Sequence, residues 1–341
     1  MKISGYKRYL IPAAIGLLLV IGLPFYFFFK GVSTLEETHY IYIDEDDTQD
    51  SVIAKIKPIA YPTAMAGLQT LLRHADYGDH IKTGRYAIKN GEGAVTIYRH
   101  LKSGRQESLN LTIPEARTMD RLAAILGKKL MLDSAAIADA LHSQETCGKY
   151  GYDTCTISAM FVPNTYDIYW NVSIDGLLER MKKEHDRFWN GGRTAKARKI
   201  GLSPNEVATL ASIIDEETAN TAEKPMIAGM YINRLRQHMP LQADPTIKFA
   251  LKDFAIKRIY NNMLKIDSPY NTYKNEGLPP GPIKIASIKG IDAVLNHVSH
   301  EYLYMCAKED FSGTHNFAKT YPEHLKNAAK YSKALNERGI K

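Results

Sequence analysis

The chain has 341 residues and a formal net charge of +7, from 44 lysines and arginines against 37 aspartates and glutamates. Acidic and basic residues are intermixed, without a basic block or a repeat of basic and aromatic residues, which argues against nucleic-acid binding. The length that follows the apolar N-terminal segment exceeds one typical domain and favours two.

The N-terminal segment predicts a membrane anchor. An uncharged run from Tyr9 to Phe29 matches the length of a helix that crosses the hydrocarbon core of a bilayer. Basic residues precede it, so we expect residues 1–8 to form a cytoplasmic tail and the rest of the chain to lie outside the cytoplasm. A cleaved signal peptide is the alternative, but the run ends in aromatic residues rather than in a small-residue cleavage site. We therefore predict a transmembrane helix over 9–29 in a single-pass protein of the cytoplasmic (inner) membrane, with its N-terminus inside.

Residues 30–106 predict a small α+β module. Short β-like segments alternate there with helical ones, one of them clearly amphipathic. The predicted strands are His39–Ile43 and Gly84–Ile88, and the predicted helices are Ala64–His74 and Ala94–Leu101.

The next segment is predicted to be mainly helical after one further strand. Pro163 interrupts an aromatic stretch over 160–170, which therefore cannot be a continuous helix. A basic linker is expected over Gly191–Lys199. The predicted elements are a strand over Ser108–Ile113 and helices over Met119–Leu130, Ser134–Ser143 and Ser173–Asn190.

The three cysteines suggest different roles. Cys147 and Cys155 flank a short segment rich in glycine and tyrosine, and outside the cytoplasm a disulfide between them is the expectation. A metal site is less favoured, because no Cys-x-x-Cys or nearby histidine pair supplies further ligands. Cys306 lies in an apolar run and is predicted to be a buried core thiol.

The best-defined predicted element is a helix that ends at Glu217. Ser203 can cap its N-terminus, Pro204 suits its first turn, and Glu206 completes a capping box. A rotation of about 100° per residue places Glu217 on the apolar face of this helix and turns Asp215 and Glu216 away from it.

The predicted position of Glu217 favours a protonated carboxyl group. Burial on an apolar face and the negative end of the helix dipole both disfavour its charge and raise its pKa. A general acid that works near neutral pH needs such a shift. The alternative is a half-exposed glutamate at a helix end, or one paired with a lysine or arginine.

A second helix is predicted over Ala222–His238, and polar, proline-rich loops follow it. Such loops commonly build binding sites. The loop segments are Leu241–Thr246, Ser268–Tyr273 and Gly277–Ile283.

Several of these segments together resemble the endolytic murein transglycosylase family (MltG, YceG-like). Their order and spacing make the resemblance specific, and it covers nearly the whole chain. The family commonly has Glu at the position of Asp215, and an Asp at the position of Asn164, where this chain therefore has no acid. The matching segments are Leu210–Thr218, Tyr231–Leu235, Leu241–Thr246, Tyr270–Tyr273, Gly277–Gly281 and Gly313–Phe317.

The resemblance implies an α+β protein with three parts after the cytoplasmic tail. These are the N-terminal transmembrane helix, a LysM-like α+β module over 30–106, and a mixed α+β catalytic domain over 107–341 with its acid on a helix. The family's catalytic acid maps onto Glu217.

The implied reaction is lytic cleavage of peptidoglycan. One carboxyl group cleaves the bond between N-acetylmuramic acid (MurNAc) and N-acetylglucosamine (GlcNAc) within nascent strands and leaves 1,6-anhydroMurNAc ends, which terminates strand elongation. No cofactor and no metal is expected. The expected partners are glycan strands, the membrane and glycan-polymerising synthases.

Further candidates for binding the substrate come from the same segments, each with a structural alternative. Asp244 can cap a turn, Glu223 can be a first-turn acid, and His315 can be a structural histidine. Gln242, Asn271 and Tyr273 can bind sugar groups or stabilise their loops. Pro279, Pro280 and Gly281 are expected to wall the cleft, and Phe317 to line it.

Two other functions remain open from the sequence. A water-using muramidase would need a second carboxylate, which Asp244 or Glu223 could supply. A non-catalytic wall-binding scaffold would not need Glu217 at all.

Overall fold

The computed structural model describes residues 7–256 and 258–339. Most of the predicted cytoplasmic tail, residues 1–6, lies outside the described part of the chain. The chain divides into two compact units. Unit 1 consists of Met1–Leu111, Lys129–Met131 and Tyr166–Val172, and unit 2 of Thr112–Lys128, Leu132–Thr165 and Ser173–Lys341.

The first element is an apolar helix, α1, over Lys7–Phe28. Within it the 20 residues Tyr9–Phe28 are long and apolar enough to cross a membrane, and none of them is buried. Such a helix is compatible with a single-pass anchor. Its last turn packs closely on the helix that contains Gly67, because a Cβ atom at Gly67 would lie 2.1 Å from the carbonyl oxygen of Phe27. Only glycine leaves room for this approach.

Unit 1 combines short strands with three helices around one apolar core. Strands β1 and β2 pair antiparallel, with Ile41 opposite Tyr86, and bury Ile43 and Tyr86 against the helices. A second two-stranded sheet pairs β3 with β4. The elements are β1 His39–Ile43, α2 Gln49–Ile56, α3 Pro62–His74, β2 Gly84–Ile88, α4 Ala94–Ser103, β3 Leu109–Thr112 and β4 Thr165–Ile168.

Unit 2 is mainly helical, with an antiparallel hairpin of β5 and β6 near its C-terminal end. Its core surrounds α10, which packs against α11 and α13. With the strands of both units, the prediction of a mixed α+β fold is confirmed. The helices are α5 Met119–Gly127, α6 Ser134–His142, α7 Gln144–Lys149, α8 Ile174–Phe188, α9 Gly192–Ile200, α10 Pro204–Glu217, α11 Lys224–Arg236, α12 Asp244–Leu251, α13 Ile288–Leu295 and α14 Tyr321–Glu337, and the strands are β5 Tyr304–Ala307 and β6 His315–Ala318.

The capping box predicted for α10 is confirmed. The hydroxyl of Ser203 accepts a hydrogen bond from the Glu206 amide over 3.3 Å, and the Glu206 carboxylate accepts one from the Ser203 amide over 2.7 Å. The predicted one-sided amphipathic character is wrong. Every residue from Val207 to Ile214 is buried, so α10 is a central helix whose small residues allow neighbours to approach on the other faces as well.

Two predicted loops are helical. The expected basic linker forms α9, whose Ala197 is buried in the core and whose C-terminus is capped by Gly201 with φ of 79°. Alanine, lysine and arginine favour helices, and a following glycine is a common C-terminal cap. The predicted loop at Leu241–Thr246 contains the start of α12, because Pro245 occupies a first-turn position that needs no amide hydrogen.

The expected disulfide is absent, since Cys147 and Cys155 are free thiols. The Cys147 side chain is buried and its thiol donates to the carbonyl oxygen of Leu141 over 3.4 Å, whereas Cys155 is exposed. The predicted burial of Cys306 is also wrong, because this residue of β5 is partly exposed.

Candidate active site

A cavity of about 430 Å³ opens in unit 2 at the C-terminal end of α10. Its walls come from α10, α11, the start of α12, the β5–β6 hairpin and the first turn of α14. Polar and aromatic side chains dominate its lining. The lining residues are Glu217, Met230, Tyr231, Arg234, Leu241, Gln242, Asp244, Tyr273, Tyr304, Met305, Cys306, Ala307, His315, Tyr321 and His324.

Glu217 is the last residue of α10 and is half-buried in this cavity. The hydroxyl group of Tyr231, on α11, donates a hydrogen bond to Oε1 of Glu217 over 2.8 Å. Burial raises the pKa of Glu217 to about 7, the Tyr231 hydrogen bond opposes this shift, and the negative charge of Asp244 adds to it. The carboxyl group can therefore hold a proton near neutral pH, as predicted, and also release it there.

The two acids before Glu217 have structural partners. Asp215 is not turned toward solvent, since 1% of its side chain is exposed and its carboxylate forms an ion pair with Lys224. It also accepts hydrogen bonds from the amide and hydroxyl of Ser287 over 2.7 and 2.8 Å, which fixes the start of α13. Glu216 accepts two hydrogen bonds from the guanidinium of Arg117 over 3.2 and 2.8 Å. Neither carboxylate lines the described part of the cavity.

Asp244 supplies a second carboxylate to the cavity. It is the first residue of α12, and its Oδ1 accepts a hydrogen bond from the Tyr273 hydroxyl over 2.5 Å. Burial and the neighbouring Asp244 raise the pKa of Tyr273, so its hydroxyl remains a donor. Of the predicted binding residues, Gln242, Asp244, Tyr273 and His315 line the cavity.

Arg234 shapes one side of the cavity from α11. It is 6% exposed, and within the described chain its hydrogen-bond acceptors are neutral. Its Nε donates to the carbonyl oxygen of Leu303 over 2.6 Å, and its NH1 donates to that of Leu241 over 3.0 Å and to the side chain of Gln242 over 3.2 Å. Gln242 adopts a left-handed φ of 53° at this point. Arg234 therefore holds together three chain segments around the cavity.

Glu223 is not among the described residues that line the cavity. It is 8% exposed, and its carboxylate accepts hydrogen bonds from the His315 amide over 2.6 Å and lies 2.9 Å from the His315 Nδ1. This pair ties the start of α11 to β6. The alternative that His315 has a structural role is thus supported, although His315 also lines the cavity.

Besides Glu223, five other predicted binding residues lie away from the described cavity lining. Asn271 is fully buried and donates to the carbonyl oxygens of Leu264 and Ile266 over 2.9 and 2.8 Å, so its amide stabilises a loop. Gly281 packs against the backbone of Cys155, where a Cβ atom would lie 2.1 Å from the carbonyl oxygen. Pro279 and Pro280 belong to the same loop. Phe317 contacts the rings of His300 and Tyr302.

Five residues that the sequence did not predict also line the cavity with charged or aromatic side chains: Tyr231, Arg234, Tyr304, Tyr321 and His324. One signal was available. Tyr231 and Arg234 are three residues apart on a predicted helix and so share a face.

The arrangement suits proton transfer by a single group. Glu217 can donate a proton near neutral pH and take one back as a carboxylate. Tyr231 donates to Oε1, so the proton that Glu217 can transfer belongs to Oε2.

The chain is similar to known proteins over most of its length. The model of the YceG-like family matches residues 41–330. The chain is 30% identical over 273 residues, 75% of each protein, to a Bacillus subtilis protein named endolytic murein transglycosylase. It is 27% identical over 289 residues to a Streptococcus pneumoniae protein of the same name, covering 76% of this chain and 52% of that one.

A solved structure shows the same relationship. It is a putative yceG-like protein from Listeria monocytogenes, 26% identical, with a TM-score of 0.55 over 86% of this chain and 99% of that chain. Sequence and structure therefore agree, and the chain belongs to the YceG-like family.

Proposed function

We propose that this protein is a membrane-anchored endolytic murein transglycosylase in which Glu217 is the catalytic acid and base. The observation that carries the proposal is the half-buried Glu217 carboxyl group, whose pKa is raised to about 7, in a cavity lined by polar and aromatic groups. The names of the relatives support the same activity.

The reaction needs one group that transfers a proton twice. Glu217 protonates the glycosidic oxygen between MurNAc and GlcNAc, and the bond from this oxygen to C1 of MurNAc breaks. The Glu217 carboxylate then accepts the proton of the MurNAc C6 hydroxyl, while the oxygen of this hydroxyl forms a new bond to C1. The products are a 1,6-anhydroMurNAc end and a free GlcNAc hydroxyl, and no water is consumed.

Asp244 favours the protonated form of Glu217 that the first proton transfer needs, and Tyr231 favours the ionised form that the second one needs. Asp244 disfavours a second negative charge and so favours protonated Glu217 before cleavage. Tyr231 stabilises the carboxylate between the two proton transfers. Asp244 also places a negative charge beside the cavity, where an oxocarbenium-like transition state carries a positive one.

A water-using muramidase is the second candidate. The observation in its favour is that Asp244 lines the same cavity as Glu217 and could activate water. Glu223 is a poorer second carboxylate, because both of its oxygens interact with His315.

Digestion of purified peptidoglycan in water labelled with oxygen-18 separates the two reactions. We expect 1,6-anhydro ends without the label from the wild type and no cleavage by Glu217→Gln. Labelled reducing ends would contradict the lyase and support the muramidase. Unchanged cleavage by Glu217→Gln would contradict the assignment of the catalytic residue.

The parts of the chain before unit 2 are proposed to place this activity at the wall. In this proposal α1 is a single-pass anchor with residues 1–8 in the cytoplasm, and residues 30–106 form a LysM-like module that binds glycan. The catalytic domain over 107–341 then acts on nascent strands outside the cytoplasmic membrane, stops their elongation and associates with synthases. The exposed apolar surface of α1 supports the anchor. Reporter fusions after residues 8 and 341 test the orientation.

A further inference from the structure

Three aromatic rings at the cavity rim have no part in the proton transfers described above. Tyr304 belongs to β5, and Tyr321 and His324 belong to the first turn of α14. The rings of Tyr304 and His324 are stacked, with centroids 5.5 Å apart and planes inclined by 25°. The Tyr321 ring lies 5.8 Å from Tyr304 and 6.1 Å from His324. We call this cluster of Tyr304, Tyr321 and His324 the aromatic wall.

The aromatic wall is not part of the apolar core. Tyr321 is 55% exposed, and the other two rings are half-buried while lining the cavity. Exposed aromatic surface beside a polar cavity is characteristic of a binding site rather than of a core.

The aromatic wall is held in place before any ligand arrives. A capping box fixes the first turn of α14, since Thr320 accepts from the Glu323 amide over 3.4 Å and Glu323 accepts from the Thr320 amide over 3.3 Å. Arg234 also holds Tyr304 in place through a cation–π contact, in which its guanidinium carbon lies 5.3 Å from the centroid of the Tyr304 ring. A preformed surface loses little conformational freedom on binding.

The aromatic wall presents uncharged ring surface near neutral pH. Burial, and then the charge of Arg234, lower the pKa of His324, so its imidazole is neutral. The faces of aromatic rings are negative and attract positively polarised edges of a ligand. A pyranose ring offers such positively polarised groups on its apolar face, where several C–H bonds point in the same direction.

We propose that the aromatic wall is a sugar-binding subsite, on which one amino-sugar ring of the glycan stacks while Glu217 acts on a bond further along the strand. This inference rests on the proposed function for the identity of the polymer. It assigns the first turn of α14 to substrate binding. It also predicts the path of the bound glycan, which runs from Glu217 toward α14.

The test measures binding without turnover. The full chain carrying Glu217→Gln is titrated by calorimetry with a tetrasaccharide of alternating GlcNAc and MurNAc. Adding Tyr321→Ala should weaken binding about tenfold, and adding Tyr321→Phe should leave it nearly unchanged, because the ring face remains. Tyr260→Ala is the matched control, since Tyr260 is also 55% exposed in unit 2 but does not line the described cavity.

The outcomes separate this inference from the proposed function. Equal affinity of the Tyr321→Ala protein and its parent, or no binding by the parent, would overturn the subsite. Because the binding measurement needs no reaction, a failure of the wild type to form anhydro ends would overturn only the proposed activity. In the otherwise wild-type protein, the subsite predicts that Tyr321→Ala raises KM more than it lowers kcat.

Discussion

The hydroxyl of Tyr231 donates a hydrogen bond to Oε1 of Glu217 over 2.8 Å, from α11 to the last residue of α10. Tyr231 is 1% exposed, and burial raises its pKa well above the ordinary value, so the hydroxyl keeps its proton at every working pH. This hydrogen bond favours the carboxylate form of Glu217, whereas burial favours the acid. The balance of the two leaves Glu217 with a pKa of about 7.

Tyr231→Phe should raise the pKa of Glu217 above about 7, because the hydrogen bond that lowers it is lost. A general acid is inactive once it is deprotonated, so the alkaline limb of the kcat/KM profile should move to higher pH. The profile should be recorded with soluble glycan oligomers for both proteins. An unchanged limb would show that Tyr231 does not control this proton.

Asp244→Asn should move the alkaline limb of the kcat/KM profile to lower pH. The negative charge of Asp244 raises the pKa of Glu217, and asparagine removes this charge while it can still accept from Tyr273. The same pH profile measures the effect. If Asp244 were instead the base of a muramidase, Asp244→Asn would abolish turnover at every pH.

Glu217→Gln should stabilise the protein above neutral pH. The pKa of Glu217 is raised from an ordinary 4.5 to about 7 in the folded state, so folding favours the protonated form. The stability that the protonated group provides is complete below pH 4.5 and is lost as the pH rises through 7. At pH 8.5 the variant should therefore gain about 3 kcal/mol of unfolding free energy over the wild type, and little at pH 4.

Guanidinium unfolding followed by the fluorescence of Trp189, which is 4% exposed in the core of unit 2, measures this difference. A gain that does not depend on pH would have another cause than the charge of Glu217.

Lys224→Met should destabilise unit 2 strongly. It removes the partner of Asp215, whose side chain is 1% exposed, and leaves an unpaired buried carboxylate at the start of α13. Such a loss costs about 3 to 5 kcal/mol. The matched control is Glu216→Gln. It removes the ion pair of Glu216 with Arg117, whose side chain is 47% exposed, and this loss should cost about 1 kcal/mol or less. Equal losses in the two variants, measured by the same unfolding experiment, would contradict the structural role of Asp215.

Local chemistry explains what the sequence could predict of the site. The start of α10 follows from Ser203, Pro204 and Glu206, which act on neighbouring backbone groups. The inward position of Glu217 follows from the rotation along the same helix. The strands β1 and β2 were predicted with the bounds they have, since their β-like residues are bounded by turns.

Tertiary packing decides what the sequence could not show. The burial of Asp215 depends on α11 and α13, which cover a face of α10 that a single-helix pattern leaves open. Asn271 resembles a sugar-binding side chain until Leu264 and Ile266 supply its acceptors. Spacing alone also could not show that Cys147 and Cys155 do not pair.

The aromatic wall is the clearest example of a feature without a local signal. Tyr304 and Tyr321 lie far from Glu217 in the chain, and only the folding of the β5–β6 hairpin and α14 brings them to its cavity.

The central claim is that Glu217 holds an exchangeable proton near neutral pH. A carbon-13 NMR titration of the full chain with labelled glutamate side-chain carboxyl groups measures this directly, with the Glu217 resonance assigned by its loss in Glu217→Gln. We expect a midpoint at about pH 7. A midpoint near the ordinary glutamate value of 4.5 would contradict the role of Glu217 as a general acid near neutral pH.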